Sequence, residues 1–148
     1  MTLRDEIMTI ENEIKSVLNG ATFYRQHMPT THKANEVTIE AVGSDLKTET
    51  TFHSLRSRSF RICYFGTSEI EVMATMEKLE ALFLDRMKIS INGSQFISVV
   101  DFSFSQGFET DSEGVFCAIG ILRASTKEAR TQQEYSKVMN VHVEKLGG

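Results

Sequence analysis

Phe60-Arg61-Ile62-Cys63-Tyr64-Phe65, running into Gly66-Thr67-Ser68-Glu69-Ile70-Glu71, is the stretch that sets the fold of this chain. The first six residues read as a strand, and Gly66 supplies a sharp exit from it. Ser68 with Glu71 three residues later predicts a capping box at a helix start. From about residue 69 to 85 the chain then reads as a helix. Val72, Met76, Leu79 and Phe83 make its core seam, Met73 and Leu82 widen it, and Glu71, Lys78 and Glu80 keep another side wet. A strand, a capped turn and a helix in succession is a place where an active site can sit. Ser68, however, lies in no G-x-S-x-G elbow and reads as a cap.

Working outward, residues 2–19 carry Leu3, Ile7, Ile10, Ile14 and Val17 at alternating spacings of four and three. That pattern predicts a helix with one narrow apolar stripe, Thr2 as N-cap and Gly20 as a left-handed C-cap. Phe23 and Tyr24 suggest a short strand, followed by a polar loop through His27, Pro29 and His32. Val37, Ile39 and Ala41 then alternate with Thr38, Glu40 and Val42, as a half-buried strand would. The segment 43–59 is poor in large apolar residues and reads as a long polar loop or hairpin arm.

Beyond the central helix, Met87–Ile91 predicts a strand, and Asn92-Gly93 a type I′ hairpin turn. The returning strand would place Phe96, Ser98, Val100, Phe102 and Phe104 along one face. Asp111-Ser112-Glu113-Gly114 is the next turn. Val115–Leu122, apolar on both faces, reads as a central strand covered on each side. The sum is an α+β fold: a mixed, mainly antiparallel sheet of about four to six strands packed with an N-terminal helix and a central helix. Residues 1–124 form a single domain in this reading. Residues 125–148 leave its body to be ordered by a partner, with Lys127–Lys137 helix-compatible and Val138, Val141 and Val143 marking a terminal strand.

With 148 residues and a hydrophobic fraction of 41%, the chain can bury a sizeable core. Sixteen basic against twenty acidic residues give a net charge of −4, which argues against broad or specific nucleic-acid binding. The start of the sequence lacks a signal-peptide layout, and no apolar run approaches the ~20 residues that cross a bilayer, so a soluble, cytoplasmic protein with no membrane partner is expected. Cys63 and Cys117 fall in apolar strand-like runs and read as buried free thiols.

Little in the chain points to catalysis. His27, His32, His53 and His142 show no zinc spacing, and there is no phosphate-cradling glycine loop. Asp101 reads as a solvated or paired acid, and Glu109, Asp111 and Glu113 as a solvated hairpin tip whose spacing is not that of a calcium loop. No metal or cofactor is called for. The one basic cluster holds Arg56, Arg58 and Arg61, with Lys47 upstream. It reads either as a charged strand edge that discourages aggregation or as a contact for phosphates or an acidic partner.

In its order of elements, with Phe60, Ile62, Tyr64 and Phe65 matching a central strand that commonly reads Phe-x-Ile-x-Tyr-Phe, the chain resembles a phage family. This is the tail terminator (tail completion) proteins of long-tailed phages, prophages and phage-tail-like particles of Gram-positive bacteria. The family often has proline after the last Phe, where this chain has Gly66. The resemblance spans residues 3–123 and implies a non-enzymatic subunit without a cofactor. It implies self-assembly into a ring, a hexamer, that caps the tail tube, stops its polymerisation and offers a joining surface to the head connector. The implied partners are other copies of the chain, the tail tube protein, the sheath and the head connector protein. Assembly would take place in the cytoplasm of a bacterial host, before the subunit becomes part of a virion or tail-like particle. The arm 43–59 and residues 125–148 match, by position, the loops and termini with which family members make contacts. Arg56, Arg58, Arg61, Val138, Val141 and Val143 are the candidate partner-contact residues. Two other readings fit the same residues: a head–tail adaptor or other neck protein, and a small-molecule-binding α+β domain.

Overall fold

The computed structural model describes residues 2–92 and 95–129. The chain is α+β, with two helices packed on one face of a seven-stranded, mostly antiparallel sheet. Helix α1 (Leu3–Lys15) precedes β1 (Thr22–Arg25), β2 (Glu36–Thr48) and β3 (His53–Gly66); α2 (Glu69–Arg86) follows. The remaining strands are β4 (Lys88–Asn92), β5 (Gln95–Phe104), β6 (Phe108–Glu109) and β7 (Phe116–Ala129). The spatial order is β1-β2-β3-β7-β5-β4, with β6 also on β7, and only β1 pairs in parallel, with β2.

Strand β3 and its partner β7 form the middle of the sheet, in unbroken register from His53↔Ala129 to Gly66↔Phe116. Alternation sends Phe60, Ile62 and Tyr64 of β3 and Ala118 and Leu122 of β7 under the helices, where all five are buried. Ile7, Ile10 and Ile14 of α1 and Val72, Met76, Leu79 and Phe83 of α2 meet them in one core. The opposite parity carries Cys63, Phe65 and Cys117 to the back face, where they form a second, smaller buried cluster.

Helix α1 stops at Lys15, four residues short of the expected end, and its capping box joins Thr2 to Asp5. Val17 is therefore exposed and Leu18 packs inward instead. Gly20 has φ +80 and serves the turn into β1, not the helix end. The box expected at α2 is only half formed. Ser68 Oγ accepts from the Glu71 N–H at 3.1 Å, but the Glu71 carboxylate reaches past Ser68 to Thr67, accepting from its N–H (3.2 Å) and its hydroxyl. Tyr64 Oη also donates to it, at 3.2 Å. These donors hold the Glu71 carboxyl below its usual range, the Thr67 hydroxyl most of all.

Gly66 has a role other than a permissive turn. A Cβ there would stand 2.9 Å from Glu71 Oε1, 2.9 Å from Val72 Cγ1 and 3.1 Å from a Tyr64 ring carbon. The first turn of α2 lies so close over the strand end that a side chain is excluded, proline included. Gly66→Ala is expected to cost about 1–2 kcal/mol by chemical denaturation, because overpacking forces neighbours off their preferred positions. A wild-type midpoint for G66A would contradict this account.

Two bulges explain where the sequence pattern misleads. In β5 the register shifts between Val99 and Asp101, leaving Val100 as the extra residue. Ile97 therefore faces the core before the bulge and Phe102 after it, while Phe96 and Val100 are exposed. The five residues expected on one face are thus split between two. In β2 the matching shift falls between Ala41 and Gly43. Because Ser59 pairs with both Gly43 and Arg123, and Arg123 with Asp101, the two bulges lie in one row across the sheet.

Outward of that row the segment 43–59 is a hairpin of regular ladder, Gly43↔Ser59 to Thr48↔Ser54. Residues 125–129 continue β7 along it, five positions past the boundary expected at 124. Lys127–Ala129 are strand, where a helix-compatible stretch was expected; the rest of that stretch and Val138, Val141 and Val143 lie outside the described residues. At the β4–β5 hairpin, Asn92 is paired with Gln95 and so belongs to the ladder, which shifts the turn one residue onward from Asn92-Gly93. The turn residues themselves lie outside the described set.

Candidate partner-contact surfaces

The arginine cluster does not form one patch. With a period of two, Arg56 and Arg58 project on the helix side of β3 and Arg61 on the back. Arg58 Nε donates to Glu6 Oε2 of α1 at 2.7 Å, and the pair is nearly dry: the Arg58 side chain is 13% exposed and that of Glu6 2%. Burial raises the Glu6 carboxyl above its ordinary range, and the guanidinium offsets part of that rise. Arg56 binds Glu128 of β7 through Nε at 3.1 Å and shares Ser44 Oγ of β2 with Arg58. The side chains of this second pair are 25% and 28% exposed. Both arginines thus tie the arm to its own chain, Arg56 across three strands and Arg58 down to α1.

Arg61 lies at one end of a groove on the back of the sheet. Cys63, Phe65, Cys117 and Ile119 floor it, Met28 and His32 form one wall, and Phe108, Thr110 and Asp111 the other. Its volume is about 350 Å³, at the small end of the range for ligand sites. The His32 ring stacks on Phe65 with centroids 4.0 Å apart and planes 8° apart. Its backbone N–H donates to Ser112 Oγ at 3.2 Å, which joins the two walls. Both cysteines are free and buried. The Cys117 thiol donates to the Ala118 carbonyl at 3.6 Å. Its interaction with Cys63, together with burial, pushes the Cys117 pKa strongly up, so it is held as a thiol.

The groove walls come from loops distant in sequence, and none of Met28, His32 or Phe108 carries a motif. The one signal for it was parity, since a strand with Ile62 and Tyr64 on one face and Cys63 and Phe65 on the other needs cover on both.

Asp101 and the acidic hairpin tip are held by local hydrogen bonds. Asp101 binds Arg123 of β7 through both carboxylate oxygens, Nε to Oδ1 at 2.7 Å, and this holds its carboxyl below the usual range. The acidic tip is closed by Thr110, whose N–H and hydroxyl both donate to Val115 O at 2.8 and 2.9 Å. Among the described residues there is no group of three or more His, Cys, Asp or Glu side chains that could hold a metal ion. No described helix is long and apolar enough to cross a membrane.

No family model matches the chain. No curated protein matches it either. Among solved structures, a chain from the virion of a native gene transfer agent (GTA) particle aligns over 86% of this chain and 100% of its own length. The likeness is loose, with a TM-score of 0.44 and 10% sequence identity.

Proposed function

We propose that this chain is a structural subunit of a phage tail or phage-tail-like particle, and within that class a ring-forming tail terminator. The observation that carries the reading is the place of Phe60, Ile62, Tyr64 and Phe65. The residues that resemble the terminator strand occupy the central strand of the sheet, with three of them under the helices and Phe65 flooring the back groove. A capped helix follows directly, as in the family pattern. The work of such a subunit is geometric. Each copy meets the next through two different surfaces, which closes a ring. One side of the ring would accept the last layer of the tail tube, and the other would face the head connector and offer no site for a further tube subunit. The subunit would be assembled in the cytoplasm of a bacterial host and retained in the particle.

Negative-stain microscopy of the purified protein, alone and mixed with polymerising tail tube protein, tests this. Closed rings, and tubes whose growth stops at a ring, are the expected images. Tubes that lengthen equally with and without the protein would overturn the terminator assignment.

A further inference from the structure

Strand β1 covers only the inner part of β2, from Thr22↔Glu36 to Arg25↔Ile39. It ends because Gln26 takes φ +53 and turns away; the Gln26 N–H donates to Ile39 O at 2.9 Å and its side-chain oxygen accepts from Ala41 N–H. From Val42 to Thr48 every residue of β2 is exposed, and no described strand pairs with that side. Past the bulge at Val42, the six residues of regular strand Gly43–Thr48, with no proline among them, thus present an unpaired edge of the kind that recruits another strand.

We infer that this open edge of β2 receives residues 138–144 of a second copy of the chain as an added strand. Three observations select that occupant. Its length suffices, seven residues against the six of Gly43–Thr48. From Met139 onward its pattern has a period of two, with Met139, Val141 and Val143 on one face and Asn140, His142 and Glu144 on the other. Finally, topology selects a second copy over the chain's own segment. Ala129 lies about 10 Å from the edge, two strand spacings away, and residues 130–137 span up to about 27 Å. The chain could therefore reach its own edge, but the connection from β7 would have to cross the β2–β3 turn at the same end of the sheet, an arrangement that folds avoid. A neighbour's segment meets no such crossing.

Donor and acceptor are different surfaces, so the contact is head-to-tail and propagates from copy to copy. The inference names the contact by which the proposed ring would close and rests on that reading. The test is amide exchange at the N–H groups of Gly43–Thr48 that face away from β3, with molar mass by light scattering, for the full chain and for full-length Val141→Pro. Proline removes a ladder donor at a position outside the described residues. Assembly of the parent chain with slow exchange at 43–48, and in V141P about tenfold or greater loss of that protection with unchanged exchange at Phe60–Phe65, is the expected result. If V141P assembles with the same protection, the strand contact is wrong and the ring reading stands. A monomeric parent chain with 43–48 protected would place the segment on its own edge and overturn the inference. A monomeric parent with 43–48 unprotected at every concentration would overturn both.

Discussion

Arg58→Ala is expected to destabilise the fold by about 3–5 kcal/mol at pH 7, because it strands a charge that has nowhere to go. Glu6 is 1% exposed, on the face of α1 that packs against the sheet, and Arg58 is its close counter-ion at 2.7 Å. Without the guanidinium, Glu6 must either stay ionised in a poor solvent or take up a proton. The second route gives the loss a pH dependence. Burial already raises the Glu6 carboxyl, so the folded chain holds that proton more tightly than the unfolded one. A group of this kind contributes stability that is complete below its unfolded pKa and fades as pH rises through the folded value. Removing Arg58 lifts the carboxyl further, so the R58A deficit should shrink between pH 7 and about pH 5. Urea melts at the two pH values check both size and sign. The contrast is Arg56→Ala, whose half-wet pair with Glu128 should be worth no more than about 1 kcal/mol. Equal losses in the two variants, or an R58A deficit that grows as pH falls, would remove Glu6 as the cause.

Gly120→Ala is the second large effect, expected at about 3 kcal/mol and near 10 °C in melting temperature. Gly120 is buried on the core face of β7, opposite Ile62 on one side and Phe104 on the other. A Cβ there would meet Phe102 Cζ at 2.5 Å, Phe102 Cε2 at 2.9 Å and Met76 Sδ at 3.1 Å. The ring cannot simply swing aside. It is packed against Phe83 and Phe104, with centroids 5.5 and 6.5 Å away. The clash is specific enough for a double-mutant cycle. Leu at 102 lacks the offending ring atoms, so Phe102→Leu in the G120A background should recover part of the loss even though it costs stability alone. Additive losses would mean that the ring is not what the new methyl meets.

These two positions also mark how far a single sequence could be read. The helices, the central strands and the end of α2 follow from periodicity and caps, because burial of one face imposes a repeat on the residues themselves. Parity could equally have separated Arg56 and Arg58 from Arg61, but only once the segment is known to be strand; as a loop, three arginines in a row of six residues look like one patch. The bulges at Val42 and Val100 left no such trace, since an extra residue reverses the alternation without any change in composition. Glu6 and Glu11, which lie beside the apolar stripe of α1, carry no mark of burial in the sequence. Their burial depends on Arg58 from β3 and Arg25 from β1, which proximity in the fold supplies and spacing along the chain does not. The back groove requires two segments distant in sequence to arrive over β3 and β7, which no local pattern encodes.

The aligned bulges carry a mechanical consequence. Extra residues at Val42 and Val100 fall in one row, so the sheet is creased there. Past the crease, β4 and the start of β5 stay in the helix-covered core through Ile89 and Ile97, and the ends of β2, β3 and β7 form an outer plate. The outer plate extends roughly 20 Å, six residues of β2 from Gly43 to Thr48. A rotation of about 10° about the crease then carries its tip on the order of 3 Å. The salt bridge from Arg58 to Glu6 spans the crease and acts as a strut that sets its resting angle. The arm can therefore change its angle by flexing one line of the sheet, leaving the core as it is.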